Sequence, residues 1–175
     1  MRILIESPTS YRGRNSRPNI PALLLFVALT VGTGAVAYRF SPFGSQSAAQ
    51  WYAMLLKADW LPPRNWLVPV WAALYVTMAI AAWLVWRERY HRGRTAAILA
   101  YSVQLLLNGL WAPLFFGFRN IGLGLFEIVA LWVAVGWTMR EFSRVRFAAA
   151  VIIMPYFVWM SVCVAMALSL WKLNP

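Results

Sequence analysis

Cysteine and histidine are almost absent from this chain, which has one of each among 175 residues. A single cysteine, Cys163, excludes an internal disulfide and any zinc or iron–sulfur site built from several cysteines. The single histidine, His91, stands in an arginine-rich segment, so the apolar segments offer no imidazole to a haem iron. Phosphate-binding loops, nucleophile motifs and metal-ligand spacings are also missing. We therefore expect no metal site and no catalytic residues of the usual acid–base or nucleophilic kinds.

Charged residues are scarce too, at 12% of the chain, and only five of them are acidic. A soluble domain of 19.9 kDa would need charged side chains over its whole surface. Apolar residues instead make up 62% of the sequence, which includes eleven tryptophans and has a mean hydropathy of +0.62. The sixteen lysines and arginines fall between apolar segments rather than on one polar face, which argues against nucleic-acid binding. Most of this chain is therefore predicted to lie in lipid.

Five apolar segments are each long enough to cross the roughly 30 Å hydrocarbon core as a helix. They lie near residues 20–39, 66–86, 95–117, 121–140 and 146–170. Only helices satisfy their own backbone hydrogen bonds within one segment in lipid. The sequence predicts an all-α, polytopic membrane protein with one five-helix transmembrane domain over residues 20–174. A basic leader, residues 1–19, precedes it and is expected to be disordered.

The basic residues are distributed unevenly between the two sides of this bundle. Four precede the first helix, four lie between the second and third, and three lie between the fourth and fifth, so eleven of the sixteen share one side. By the positive-inside rule the amino terminus is cytoplasmic and the carboxyl terminus is outside. We expect the membrane to be a bacterial inner membrane. Ala35-Val36-Ala37 imitates a signal-peptidase site, but Tyr38 and Arg39 favour an uncleaved signal-anchor helix.

The longest connection is the stretch 40–65, which we name the lid loop. Ser47 is predicted to cap a short helix in it, and Pro62-Pro63 to end that helix. One apolar face of the helix would consist of Trp51, Met54, Leu55 and Ala58. This face could lie on the mouth of the bundle or on lipid headgroups, and periodicity leaves both possibilities open.

One side of the third helix carries polar and aromatic residues over about 21 Å. They recur at spacings of three and four: Tyr101, Gln104, Asn108, Trp111 and Phe115. An amide in hydrocarbon has no water partners, so Gln104 and Asn108 should face the bundle interior. There they could join helices or contact a ligand, and both readings stay open.

Helices two and five carry similar faces. These comprise Trp71, Tyr75 and Met78 on helix two, and Tyr156, Trp159, Cys163 and Ala167 on helix five. Such rings can be packing alone, but Trp71 and Trp159 share their faces with small or polar residues that leave room beside the ring. Pro155 is expected to bend helix five. The one acidic residue within a span, Glu127, could pair with Arg119 or bond across the bundle.

Three groups of residues occur in an order that is typical of one membrane-protein family. The first group comprises Trp51-Tyr52, Lys57, Trp60 and Pro62-Pro63, followed by Val70-Trp71, Leu74-Tyr75 and Met78. The second comprises Gln104-Leu105, Leu107-Asn108, Trp111 and Phe115-Phe116-Gly117. The third comprises Pro155-Tyr156 and Trp159. In these motifs the chain resembles the TspO/MBR family, which comprises tryptophan-rich sensory proteins and the translocator protein or peripheral benzodiazepine receptor. The resemblance extends from about Ala22 to Asn174.

This resemblance implies a five-helix bundle, commonly a homodimer, with a lidded cavity for a porphyrin such as protoporphyrin IX or haem and no covalently bound cofactor. The implied binding residues are Tyr52, Trp71, Tyr75, Asn108, Trp111, Trp159 and Cys163, supported by Gln104, Tyr156 and Ala167. The implied function is tetrapyrrole binding in sensing, sequestration or transport. Light- and oxygen-dependent porphyrin breakdown is an alternative. A second alternative is a structural or adaptor role, in which Ala96-xxx-Ala100 and Ala130-xxx-Ala134 would provide faces for close packing against another subunit.

The chain departs from the family pattern on the predicted fifth helix. Cys163 replaces the usual alanine, and Met166-Ala167 replace the usual Leu-Asn, which reshapes one cavity wall and argues against high affinity for synthetic drug ligands. The tyrosine of the cholesterol consensus is missing before Lys172, so specific sterol recognition is not expected. On helix four, Glu127 stands where the family has aspartate.

Overall fold

The computed structural model describes residues 19–175, so the predicted leader lies almost wholly outside the described residues. This part of the chain forms six α-helices and no strand. They are α1 (Ile20–Phe40), α2 (Gln46–Met54), α3 (Arg64–Arg87), α4 (Arg94–Ala112), α5 (Ile121–Val145) and α6 (Phe147–Leu173). All except α2 are long and apolar enough to cross a membrane. The predicted all-α bundle with five spans is confirmed.

The five spanning helices pack around one apolar core. Helix α5 lies between α4 and α6, while α3 packs against α1 and α6, and α1 also contacts α4. The largest fully buried side chains include Met78, Tyr101, Phe142, Ile153 and Tyr156. Helix α1 is the most peripheral, since Ala22, Phe26 and Thr30 are its only buried residues. The bundle is therefore least tightly closed along α1.

Polar side chains and prolines fix several helix ends. Asn19 and Asn120 accept hydrogen bonds from the backbone N–H groups of Ala22 and Leu123, and so cap α1 and α5. The α-helical hydrogen bonding of α4 ends at Pro113, and a single π-turn over Pro113–Gly117 follows. In this turn the Phe118 N–H donates to the Pro113 carbonyl. Helix α5 runs on to Val145 rather than ending near residue 140.

The short helix of the lid loop differs from the prediction. Its cap is Ser45, which accepts from the Ala48 N–H, and not Ser47. The helix ends at Met54, well before Pro62-Pro63, and Pro63 instead precedes the first residue of α3. Met54 is 74% exposed, so the predicted four-residue apolar face is wrong. The physical reason is tertiary contact: the Trp51 ring packs on Phe115, and the backbone of Leu56, just beyond the helix end, is hydrogen-bonded to Asn174.

The polar and aromatic face of α4 lies inside the bundle, as predicted. Tyr101, Gln104, Asn108 and Phe115 are all buried, and Trp111 is half-buried. The two small-residue pairs suggested for contacts with another subunit are partly used within the bundle itself. Ala100 is fully buried and Ala134 is 7% exposed. Neither pair therefore forms a free surface stripe.

Of the two possibilities for Glu127, neither the pairing with Arg119 nor a hydrogen bond across the bundle is found among the described residues. Arg119 lies in the turn before α5 with a positive φ of 54°, and its guanidinium donates to Ser47 Oγ of the lid loop at 3.1 Å. Glu127 is 4% exposed, and neither carboxylate oxygen has a hydrogen-bond partner among the described residues. Arg119 points along the rim of the bundle, whereas Glu127 faces its interior.

Candidate functional site: a lidded aromatic cavity

A cavity of about 1040 Å³ opens between α1, α3, α4 and α6 and is covered at one end by the lid loop. Most of its wall is aliphatic or aromatic. Polar side chains are few and occur at separate places in the wall; among them are Thr30, Tyr38, Tyr52, Lys57, Tyr75 and Asn108. Such a wall suits a large apolar guest whose orientation is fixed by a small number of polar contacts.

Eight of the ten residues predicted for the site line this cavity: Tyr52, Trp71, Tyr75, Asn108, Trp111, Trp159, Cys163 and Ala167. They come from α2, α3, α4 and α6, so the fold brings together residues from four separate parts of the sequence. Tyr156 and Gln104 do not belong to the wall. Tyr156 is buried directly behind it, and Gln104 lies deeper, where its amide N contacts Met78 Sδ at 3.9 Å. That these residues bind a ligand stays a prediction.

Asn108 joins three helices through its side-chain amide. The Tyr75 hydroxyl of α3 donates to Asn108 Oδ1 at 2.9 Å, and Asn108 Nδ2 donates to the Tyr156 hydroxyl of α6 at 2.9 Å. All of these groups lie at membrane depth, where an unpaired amide or hydroxyl is costly. Of the two readings of Asn108, the link between helices is confirmed; Asn108 also borders the cavity, and its contact with a ligand stays a prediction.

The aromatic rings of the wall support one another. Trp71 lies 5.8 Å from Tyr75 in a tilted arrangement and 6.3 Å from Tyr156 edge to face, measured between ring centroids. On the other side, Trp111 stacks on Phe115 at 5.2 Å with an interplanar angle of 13°. These contacts are within the range of favourable aromatic pairs, and they fix ring planes that a guest molecule would meet.

The lid loop is packed on the bundle by aromatic contacts. The Trp51 ring is edge-on to Phe115 at 5.5 Å and to Phe116 at 6.3 Å, and Tyr52 meets Phe116 at 5.8 Å. The Lys57 ammonium lies 4.7 Å from the centroid of the Tyr52 ring. Burial raises the pKa of the Tyr52 phenol, so the ring remains neutral beneath this cation. Tyr52 and Lys57 are thus held together at the mouth of the cavity.

Two hydrogen-bonded contacts hold the lid loop on the bundle, and neither could be predicted from the sequence pattern. Near its start, Ser47 receives the bond from Arg119. Near its end, Asn174 Oδ1 accepts from the Leu56 N–H at 2.9 Å, and Asn174 Nδ2 donates to the Leu56 carbonyl at 3.0 Å. Asn174 follows the last residue of α6, where a polar residue in a sequence pattern indicates only that the helix has ended.

Comparison with known proteins assigns the chain to a family. The sequence profile of the TspO/MBR family matches residues 24–172. The chain is 36% identical over 159 residues to Protein CrtK of Rhodobacter capsulatus, covering 88% of this chain and 95% of that protein. It is 33% identical over 155 residues to Tryptophan-rich protein TspO of Chlorobaculum tepidum, covering 87% and 98%. It is 31% identical over 159 residues to the human Translocator protein, covering 90% and 92%. The chain therefore belongs to the TspO/MBR family and is an integral, multi-pass membrane protein.

Proposed function

We propose that this protein binds a tetrapyrrole of the protoporphyrin IX type in its lidded cavity, and that it acts in sensing, sequestering or transporting this ligand. The observation that carries the proposal is the cavity of about 1040 Å³ with indole and phenol rings on several sides. This volume is at the upper end of the ~300–1,000 Å³ typical of small-molecule sites, which favours a guest larger than most metabolites. A flat conjugated macrocycle would stack on such rings.

Lys57 supplies the charge that a porphyrin carboxylate needs. Its ammonium lines the cavity and donates to the Leu55 carbonyl at 2.8 Å, and it forms no salt bridge with any carboxylate of residues 19–175. A propionate entering at the mouth could replace that neutral acceptor with a charge-assisted hydrogen bond, which is stronger. The macrocycle would then lie deeper, between Trp71 and Trp159, with its acidic edge towards the lid loop.

Titration of the purified protein with protoporphyrin IX, followed by quenching of tryptophan fluorescence, tests the proposal. We expect Trp71→Ala and Trp159→Ala each to weaken binding by about tenfold or more, because each removes a ring from the cavity wall. The matched control is Trp137→Ala, since Trp137 is 38% exposed on α5 and does not line the cavity. If all three variants bind protoporphyrin IX as tightly as the wild type does, the ligand binds outside this cavity.

A second candidate function is light- and oxygen-dependent breakdown of the bound porphyrin. It is supported by the oxidisable rings of Trp71, Tyr75 and Tyr156, which are in mutual contact beside the cavity. The excited macrocycle would supply the hard chemistry, and the protein would hold it in place. Illumination with and without oxygen separates the two functions. If the protein degrades porphyrin, the bound porphyrin should lose absorbance faster than free porphyrin in detergent. If the protein only binds porphyrin, the loss should be no faster.

We propose further that the protein is a homodimer in a bacterial inner membrane with a cytoplasmic amino terminus. Support for the orientation comes from the eleven basic residues on that side and from five spans, which place the two termini on opposite sides. Labelling of single cysteines in intact cells would test it. A membrane-impermeant maleimide should react at Trp60→Cys in the lid loop and not at Arg92→Cys between α3 and α4.

A further inference from the structure

A separate apolar groove of about 400 Å³ lies on the lipid-facing side of α1 and α4. Its walls include Leu25 and Leu29 of α1 and Ile98, Ser102 and Leu106 of α4. The two helices run parallel here, and the groove follows residues 25–33 of α1 for about 12 Å. Leu25 and Leu106 are 55% and 65% exposed, so the groove opens towards the acyl chains of the bilayer. The residues that line this groove are different from those that line the cavity under the lid loop.

Trp86 lines the groove at the end where α4 begins, and an arginine is stacked on it. The Arg94 guanidinium carbon lies 3.9 Å from the centre of the Trp86 ring, and Arg87 lies 4.8 Å from the centre of the Trp83 ring. Both indoles are themselves held in place. Trp83 donates its Nε1–H to the Asn19 carbonyl at 3.1 Å, and Trp86 meets the ring of Phe26 edge to face at 5.9 Å. The two guanidinium groups are therefore positioned by fixed aromatic rings.

Neither Arg87 nor Arg94 pairs with a carboxylate among residues 19–175. The acidic residues nearest to them in the sequence and at this end of the bundle are already engaged: Glu88 pairs with Arg146 at 2.6 Å, and Glu141 pairs with Arg144 at 2.9 Å. In addition, the Nε–H of each of the two arginines is buried without an acceptor in the described part of the chain. A buried donor on a charged group is costly to leave unpaired, so an anionic acceptor would stabilise each of these guanidinium groups.

The amino terminus of α4 adds to the same electrostatic field. Gly93 precedes it and provides no side-chain acceptor. The Arg94 N–H donates to the His91 carbonyl at 3.1 Å, so the Thr95 and Ala96 N–H groups are the ones left without a capping side chain in the described part of the chain. Tryptophans at this level are typical of the membrane interface, where lipid phosphates lie. Arg94 therefore connects the groove with the amino terminus of α4, because its guanidinium stacks on Trp86 of the groove wall and Arg94 is the first residue of that helix.

We propose that this site binds an anionic phospholipid, with its phosphate on Arg94 and Arg87 and one acyl chain in the groove between α1 and α4. Arginine forms bidentate bonds with phosphate oxygens, and its weak hydration suits a site at the edge of hydrocarbon. The lipid would fasten α1, the spanning helix with the smallest buried share, to α4 and α3. This proposal does not depend on tetrapyrrole binding, because the two sites have separate walls and separate charges.

The test measures lipid binding to delipidated protein in detergent, by native mass spectrometry and by the midpoint of thermal unfolding. The probes are phosphatidylglycerol, phosphatidylcholine with the same acyl chains, and inorganic phosphate. We expect phosphatidylglycerol to bind and to raise the midpoint at concentrations where phosphatidylcholine and phosphate do not. Combined Arg87→Gln and Arg94→Gln should weaken phosphatidylglycerol binding by about tenfold or more.

The matched control is Arg89→Gln with Arg92→Gln, which removes the same charge from exposed positions in the same loop. This control should keep its affinity; an equal loss would mean diffuse electrostatic attraction and would overturn the site.

Ser102→Trp, which fills the groove without changing charge, should also reduce phosphatidylglycerol binding. Stabilisation by phosphate alone would show an ion site without a lipid. Disulfide crosslinking between two copies of a Ser102→Cys, Cys163→Ala variant in the membrane would show that a second subunit occupies the groove.

Discussion

Asn174 and Leu56, which are 118 residues apart in the sequence, are joined through one side-chain amide that accepts from the Leu56 N–H and donates to the Leu56 carbonyl. The same amide N also donates to the Leu170 carbonyl at 2.8 Å, so the lid loop is tied directly to the last turn of α6. Leu56 precedes Lys57, which lines the cavity. The carboxyl end of the chain therefore helps to hold the mouth of the cavity in its covered state.

Replacing Asn174 with alanine should loosen the lid loop without unfolding the bundle. The variant leaves both polar backbone groups of Leu56 without this partner, but Leu56 is 64% exposed, so water can replace it. We expect faster amide hydrogen exchange in residues 52–61 and faster dissociation of protoporphyrin IX, with little change in the unfolding midpoint. Asn65→Ala, at an exposed asparagine near the start of α3, is the control. Unchanged exchange in the Asn174 variant would mean that ring packing alone holds the lid loop.

Asn108 should matter more for stability than either tyrosine that it contacts. Asn108→Leu leaves the hydroxyls of Tyr75 and Tyr156 without their shared partner inside the bundle, and each unpaired group costs about 1–3 kcal/mol. Tyr75→Phe removes one hydrogen bond and leaves one amide oxygen unpaired. We expect the unfolding midpoint to fall in the order wild type, Tyr75→Phe, Asn108→Leu. A midpoint of Asn108→Leu equal to that of Tyr75→Phe would show that the Tyr156 hydroxyl finds another hydrogen-bond donor.

The inner face of α4 could be predicted because one physical cause determines it. Amides and rings at spacings of three and four lie on one side of a helix, and lipid drives the polar ones inward, so Gln104 and Asn108 are buried as expected. Local periodicity could not show that Asn108 lines the cavity whereas Gln104 does not. That difference depends on where α3 and α6 diverge, which is a property of the packed bundle.

The lid loop shows where sequence patterns fail. Ser45 and Ser47 are equally good capping residues, and the choice between them is decided by Arg119, which approaches from the turn before α5 and engages Ser47. The apolar pattern from Trp51 onwards continues past Met54, yet the helix stops there because Leu56 is held in place by Asn174. Both features depend on contacts with residues that are distant in the sequence, so local sequence patterns cannot predict them.

Gly124 permits the close packing of α5 against the turn after α4. A Cβ at this position would lie 2.3 Å from Phe115 Cδ2 and 2.9 Å from Phe115 Cβ. Gly124→Ala should therefore displace Phe115 and, through it, the edge-on contact with Trp51 of the lid loop. We expect a loss of about 1–3 kcal/mol in stability, typical of overpacking, and faster hydrogen exchange in α2.

Gly32→Ala provides the control for the Gly124 variant, because no atom lies within 4 Å of a Cβ built there. It changes helix propensity in the same direction without creating a clash. Its unfolding midpoint should equal or exceed that of the wild type. A Gly124 variant as stable as the Gly32 variant would show that α5 can shift to accommodate the added methyl group.

Glu127 is expected to lower the stability of the bundle in the absence of a ligand. Its carboxyl group is buried within a span and neither oxygen has a hydrogen-bond partner among the described residues, so its desolvation is not compensated. Glu127→Leu should raise the midpoint of thermal unfolding, with a gain on the order of 1–2 kcal/mol. Glu141→Leu is the contrasting variant, since Glu141 is also buried, at 6% exposed, but pairs with Arg144. Its removal breaks this ion pair without relieving an uncompensated carboxylate, so the midpoint should not rise; because Arg144 is half-exposed, water limits the loss. If both substitutions lower it, Glu127 has a partner in the membrane, such as an ordered water, that stabilises the carboxyl group.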